Sequence, residues 1–485
     1  MISFFIALAL LIGGYFVYGK FVERVIKVDA NRPTPAQTMA DGVDYVELPT
    51  WKIFLIQFLN ISGLGPIFGA IMGVMYGPVA FYWIVFGTIF GGAVHDYLSG
   101  MVSLRSGGAS LPEIIGDHLG NGIKIAMRAF SLLLMIMVGA VFVYNPADLL
   151  AALTPDWLSR NFWIALIFIY YILATMLPID KIIGRIYPLF GLALLFMAVG
   201  VMVMLVANGA DMPEMWTEMY NHQANSEALP IFPMIFVSIS CGALSGFHAT
   251  QSPLMARCLK NEKDGRFAFE GAMVTEGIVA LIWAAAAITY TKGYTGLQEA
   301  MQHNSPATFV NALTQDWLGK LGGIMAVLGV IAAPISTGDT ALRSARLIAA
   351  DLLHIKQKTI TKRLLVTIPL FAITAWLMLS PFEVIWRYIS CFNQILSLFT
   401  MWAITVWLKR HGMNYWITIP FAIFFSAVCT TYVLYAPEGL SILTQHYWGF
   451  SIDYTFSVVA GIVVAAVTAL IFVRKEILPT SKLRR

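Results

Sequence analysis

The chain has 485 residues and a formal charge of +4; 58% of its residues are hydrophobic and 12% charged. Soluble globular domains carry about 25% charged residues, so this chain has too little polar surface to fold in water, and lipid is the implied solvent. No basic stripe is interleaved with aromatic residues, which excludes a nucleic-acid footprint; membrane lipid and a small-molecule solute are the expected partners, and the oligomeric state stays open.

A helix needs about 20 apolar residues to cross the hydrocarbon core. In chain order, candidates lie near 2–22, 52–76, 78–103, 124–145, 161–178, 186–208, 229–251, 268–290, 321–341, 364–380, 384–408, 414–435 and 454–473, which makes thirteen spans of an all-α polytopic membrane protein. The first lacks a basic region before it and a cleavage site after it, so it is expected to be a retained helix rather than a signal peptide. With the N-terminus outside and the C-terminus in the cytoplasm, only Arg160, Lys292, Lys320 and Arg387 of the 31 Lys and Arg fall on the outer side. That asymmetry is the one expected of a bacterial inner (plasma) membrane protein. Cys241, Cys258, Cys391 and Cys429 form no C-x-x-C pair and lie in or beside apolar segments, so they are read as reduced packing residues.

The second span contains Asn60-Ile61-Ser62-Gly63-Leu64-Gly65-Pro66, and the seventh contains Cys241-Gly242-Ala243-Leu244-Ser245-Gly246-Phe247-His248. Glycine and proline at this density disfavour a continuous helix. A break at membrane depth is tolerated only where protein or a wet cavity satisfies the freed backbone. Ser62, Gly63, Gly65, Cys241, Gly242, Ser245, Gly246 and His248 are therefore candidate solute-binding residues. Packing is the competing reading, because Gly65, Gly69 and Gly73 also fit a small-x-x-x-small face. The second break comes five spans after the first, an odd number, so two five-helix sets at 51–208 and 229–408 run in opposite directions. That is the arithmetic of a 5+5 inverted repeat with two discontinuous helices, here with a first helix and loop at 1–50, a connector at 209–228 and two further helices at 409–485.

Ionisable residues inside the bilayer are costly and mark function by default. His95-Asp96 ends Gly91-Gly92-Ala93-Val94-His95-Asp96 in the third span; Asp96 either relays protons or holds a cation, or ties down a loop. Glu276 in the eighth span is a candidate for proton coupling, and His248 for hydrogen-bonding the solute or carrying a proton. In the ninth span Pro334-Ile335-Ser336-Thr337-Gly338-Asp339-Thr340 offers hard oxygen ligands, so Ser336, Thr337 and Asp339, with carbonyls near Asn60, are a candidate sodium site; a polar helix end is the plainer alternative. Sodium and proton coupling both stay open, and no other metal or cofactor is expected. The chain holds no H-E-x-x-H, G-x-S-x-G, Walker or dinucleotide motif, which speaks against an enzyme and against direct ATP use. A solute channel or a membrane-embedded nutrient sensor remains the alternative to a carrier.

Asp41-Gly42-Val43-Asp44-Tyr45-Val46, Ser62-Gly63-Leu64-Gly65-Pro66, Gly91 to Tyr97, Ser245 to Ser252 and Ala333 to Thr340 together resemble the carbon starvation protein A family, in order over roughly residues 1–475. The resemblance implies the amino acid–polyamine–cation superfamily with its LeuT-like core. It also implies uptake of peptides or pyruvate during carbon limitation, hence a secondary active importer of a small carboxylate-bearing nutrient. Longer relatives carry His-His shortly before the first break, where this chain has Ile56-Gln57.

Overall fold

The computed structural model describes residues 1–176, 183–208, 212–357, 359–380 and 382–478. Every regular element among them is helical. Short turns aside, they run α1 (Ile2–Val25), α2 (Thr50–Ser62), α3 (Gly65–Val74), α4 (Val79–Arg105), α5 (Leu111–Leu119) and α6 (Asn121–Leu153). Then come α7 (Arg160–Met176), α8 (Ile183–Asn208), α9 (Ile231–Ser238), α10 (Gly246–Ala256), α11 (Glu262–Tyr290) and α12 (Tyr294–His303). The last six are α13 (Pro306–Leu352), α14 (Ile360–Leu377), α15 (Phe382–Arg410), α16 (Ile419–Tyr435), α17 (Leu440–Trp448) and α18 (Tyr454–Phe472).

Among the described residues, nine helices are long and apolar enough to cross a membrane, or ten if α2 and α3, bent by 51°, make one span. Three expected spans fall outside that set. The span at 161–178 corresponds to α7, which has 17 residues, and its last two positions lie outside the described residues. The span at 229–251 is divided between α9 and α10 by non-helical residues 239–245. The span at 321–341 lies within α13, where the side chains of 320–328 are not among those described. The connector expected at 209–228 likewise begins on residues outside the description.

Burial separates centre from periphery. Within their apolar windows α11 is 83% and α4 is 78% buried, against 28% for α1 and 22% for α18. Helices with apolar side chains all round sit inside the bundle; α1 and α18 instead turn residues such as Phe16, Val17, Ile462 and Leu470 outward, as lipid-facing helices must. The most extensive helix contact is between α6 and α13, and glycine sets its closeness, since a Cβ on Gly139 would lie 2.7 Å from Leu342. The pairing repeats between the two sets: α2 packs on α8 as α10 packs on α15, and α6 reaches α14 as α13 reaches α7.

One end of the bundle is tied by ion pairs. Glu262, fully buried, accepts from Arg105 Nε at 2.7 Å, Arg32 Nη1 at 2.8 Å and the Asp29 amide at 2.6 Å. Asp44, in the loop before α2, meets Arg343 Nη1 at 3.2 Å and Arg346 Nη2 at 3.5 Å on α13. Burial pushes the Asp44 carboxyl up, but Arg346, Arg343 and Arg257 together hold it below its ordinary value.

Candidate transport site

Both expected breaks are present, and they touch. Helix α2 stops at Ser62 because Gly63 adopts φ +37°, ψ −129°, a conformation that L side chains rarely reach. The second break runs over 239–245, and Gly242 at φ +94° packs its bare Cα toward Ala280. His248 lies just past it, in the first turn of α10 rather than in unwound backbone. A Cβ on Gly65 would lie 2.2 Å from Cys241 Cβ, one on Gly69 would lie 3.0 Å from the Ser238 carbonyl, and one on Gly73 would lie 2.1 Å from Ile239 Cγ1. The small-residue stripe and the break are thus one device: the glycines let α3 lie directly on the unwound segment.

Freed carbonyls need donors, since lipid supplies none. Trp83 Nε1 donates to Ile239 at 3.1 Å, and Thr88 Oγ1 donates to Gly242 at 2.9 Å. Gln394 Nε2 donates to Phe236 at 2.7 Å and to Leu244 at 3.2 Å. At the first break Thr337 Oγ1 donates to Leu59 at 3.1 Å, sharing its proton with Ala333 at 2.9 Å. The irregular backbone is therefore held from outside, by α4, α13 and α15. Sequence reasoning did not find Trp83, Thr88 or Gln394; the only local signal was a polar side chain in an otherwise apolar span.

Between the breaks lies a cavity of ≈ 30 Å³, lined among others by Ser62, Gly63, Gly65, Cys241, Phe142 and Thr337. That is room on the scale of water, which needs about 10–15 Å³, and too little for an organic solute. A solute needs this cavity to widen. Gly242, Ser245 and Gly246 do not line the cavity; Gly246 instead gives close approach to α15, where a Cβ would lie 2.4 Å from the Ser397 amide.

Behind the second break, residues from three helices form a buried polar cluster. Asp96 accepts from His95 Nδ1 at 2.7 Å through one oxygen and from His248 Nδ1 at 2.8 Å through the other. Each Nδ1 faces a carboxylate, so each carries its hydrogen. His248 Nε2 lies 3.4 Å from Glu276 Oε2. All four side chains are fully buried. Neither Glu276 oxygen has a hydrogen-bond partner among the described residues. A neutral imidazole would aim its Nε2 lone pair at that carboxylate, which repels it. A proton on Nε2 or on Glu276, or a bound cation, removes the conflict.

The candidate oxygen site on α13 is divided. Ser336 Oγ donates to Ala333 on its own helix, Thr337 faces the first break, and Asp339 accepts from Tyr187 on α8, which Tyr170 Oη approaches at 3.1 Å. Asn60 is fully buried, and neither atom of its amide has a partner among the described residues. At the family's His-His position, Gln57 Nε2 reaches Ser252 Oγ at 3.4 Å.

The architecture is shared with solved structures of transporters. The chain matches a Na+-coupled sialic acid symporter over 97% of both chains at 15% identity and a TM-score of 0.52. It matches MhsT, solved with L-phenylalanine, over 88% of this chain and 98% of that one, at 14% identity and a TM-score of 0.53. These likenesses show the fold alone. An uncharacterized membrane protein of Haemophilus influenzae is 44% identical over 349 residues, 62% of this chain and 94% of that one. Peptide transporter CstA of Bacillus subtilis is 30% identical over 336 residues, 56% of each chain. The pyruvate/proton symporter BtsT of Escherichia coli is 28% identical over 376 residues, 64% of this chain and 51% of that one. The chain spans about half the length of these two named relatives. The model of the carbon starvation protein CstA family matches residues 1–156 and 152–320, well over half of the sequence, and the chain belongs to that family.

Proposed function

We propose that the chain is a secondary active importer of a small carboxylate-bearing nutrient, of the peptide or pyruvate class, driven by the proton gradient across the plasma membrane and used when carbon is scarce. One observation carries this reading: the fully buried His248 Nε2–Glu276 contact at 3.4 Å behind the broken helix, where neither Glu276 oxygen has a hydrogen-bond partner among the described residues. Protonation from one side relaxes the cluster, and loss of the proton to the other side strains it, so proton occupancy biases where α10 sits. The names of the peptide and pyruvate/proton relatives support the substrate class and the ion. The start of α10, which has no side-chain cap, offers a carboxylate a seat at a helix N-terminus, with the solute between Ser62–Gly65 and Cys241.

Purified protein in proteoliposomes tests this directly. Labelled pyruvate or a dipeptide should accumulate under an inward proton gradient without sodium. Glu276→Gln should abolish accumulation while leaving solute counterflow. Full gradient-driven accumulation by Glu276→Gln would refute the role of the cluster. A sodium-coupled reading has its own support, the unpartnered Asn60 amide beside a first break whose Leu59 carbonyl already faces Thr337. Uptake that requires sodium and fails in Thr337→Val would favour it.

A further inference from the structure

We propose that Cys241, His248 and Glu276 form a binding site for a divalent metal of the zinc class, and that its occupancy locks the second broken helix to α11. The Sγ, imidazole nitrogen and carboxylate oxygen that these residues offer lie within 4.8 Å of one another.

The donors are arranged for a metal. Asp96 holds His248 Nδ1 at 2.8 Å, which fixes the tautomer and leaves Nε2 to coordinate. Carboxylate–imidazole–metal triads orient their ligands in this way, and His95 on the other Asp96 oxygen steadies the support. Glu276 brings a carboxylate oxygen to the same place, and neither of its buried oxygens has a hydrogen-bond partner among the described residues. A buried carboxylate with no donor is rare and costly, and a cation satisfies it. A sulfur, a nitrogen and an oxygen suit zinc-class ions; calcium and magnesium prefer oxygen throughout.

Metal–ligand bonds of about 2.0–2.3 Å set tetrahedral donors roughly 3.3–3.8 Å apart; His248 Nε2 and Glu276 Oε2, 3.4 Å apart, already meet that spacing, and any closing falls to Cys241. Cys241 can supply that movement. It sits on the irregular segment beside Gly242, and its thiol is only 3.8 Å from Ser245 Oγ. Three protein donors leave a fourth position open, and one of the three, Cys241, also lines the cavity. A metal there bridges the moving break to α11 and occupies the groups that carry the proton, so it should arrest transport. That consequence rests on the proposed coupling; binding itself does not.

The test titrates Co2+ into the reduced, purified full chain in detergent and then displaces it with Zn2+. One equivalent should give a thiolate-to-cobalt charge-transfer band with tetrahedral d–d bands. Cys241→Ser should lose the charge-transfer band and Cys391→Ser should keep it. Asp96→Asn should weaken binding by roughly 10–100-fold, the range for a lost supporting partner. Zn2+ should raise the unfolding midpoint of the unaltered chain, since a ligand bound only to the native state stabilises it, and not that of Cys241→Ser. Thermal scans without metal confirm that each variant is folded. No band, or a band that survives in Cys241→Ser, would overturn the site. Uptake that continues at saturating Zn2+ would overturn the lock. Because the spectrum reads binding without transport, failure of the coupling mechanism and failure of the metal site are distinguishable.

Discussion

Thr88 tests whether scaffold donors hold the second break in place. Its hydroxyl is fully buried on α4 and donates to the Gly242 carbonyl at 2.9 Å. The glycine at position 277 makes room for it, since a Cβ there would lie 2.6 Å from Oγ1. Thr88→Val replaces the hydroxyl by a methyl at nearly constant volume, so it removes the bond and leaves the packing. The orphaned carbonyl, shielded from water, costs about 1–3 kcal/mol, which at 1.4 kcal/mol per decade is roughly a 5- to 150-fold rise in local opening. Thr88→Ser keeps the donor and loses only a methyl, so its opening should stay near that of the native chain. Cys241 reports opening directly because it lies on the break and lines the cavity, whereas Cys258, Cys391 and Cys429 are buried elsewhere and serve as references. Maleimide labelling resolved by mass spectrometry should show Cys241 accelerated in Thr88→Val alone. Equal rates in the Val and Ser variants would refute the argument.

Other perturbations follow from the same geometry. Gly65→Ala forces a Cβ to 2.2 Å from Cys241 Cβ and should lower the unfolding free energy by the roughly 1–3 kcal/mol of an overpacked contact; adding Cys241→Gly should restore most of it, and no recovery would mean that the two breaks do not touch. Gln394→Leu strands two carbonyls but also removes a buried Oε1 that has no partner among the described residues, so its loss of stability should be close to that of Thr88→Val rather than twice as large in thermal unfolding. Asp44 is held below its ordinary 3.8 by three arginines despite burial, so its contribution is present above that value and lost as pH falls through the lower folded one; Asp44→Asn should cost about 3–5 kcal/mol near neutral pH, as broken buried ion pairs do, and the gap from the native chain should narrow below pH 4.

The sequence carried the breaks because they are local. Glycine and proline announce themselves where they stand, and Gly63 and Gly242 do adopt left-handed backbone. His248, Asp96 and Glu276 were each visible as ionisable residues in apolar spans, yet nothing local says that Asp96 meets a histidine 152 positions away. That pairing depends on how α4 lies against α10, which side-chain packing decides. Grouping Ser336, Thr337 and Asp339 by adjacency had the opposite weakness. Residues within a single turn of one helix present different faces, so Thr337 reaches the first break while Asp339 turns to Tyr187. Trp83 and Gln394 were the least legible, because a donor to a freed carbonyl need only be within reach in space.

The scaffold bonds also bound how hard the carrier is to open. Trp83, Thr88, Gln394 and Thr337 hold the two breaks through bonds to Ile239, Gly242, Phe236, Leu244 and Leu59. At about 1 kcal/mol net for each of these five bonds, an opening that broke all of them would cost roughly 5 kcal/mol. A bias of that size leaves the open form at roughly one part in several thousand, so bringing it to parity takes about 5 kcal/mol of differential binding. A solute whose own oxygens and amides engage the breaks as the scaffold bonds part can drive that change; an apolar solute of equal size cannot, however well it fits. On the proposed function, selectivity for a polar, carboxylate-bearing nutrient would follow from how the unwound backbone is held, before any side chain touches the solute.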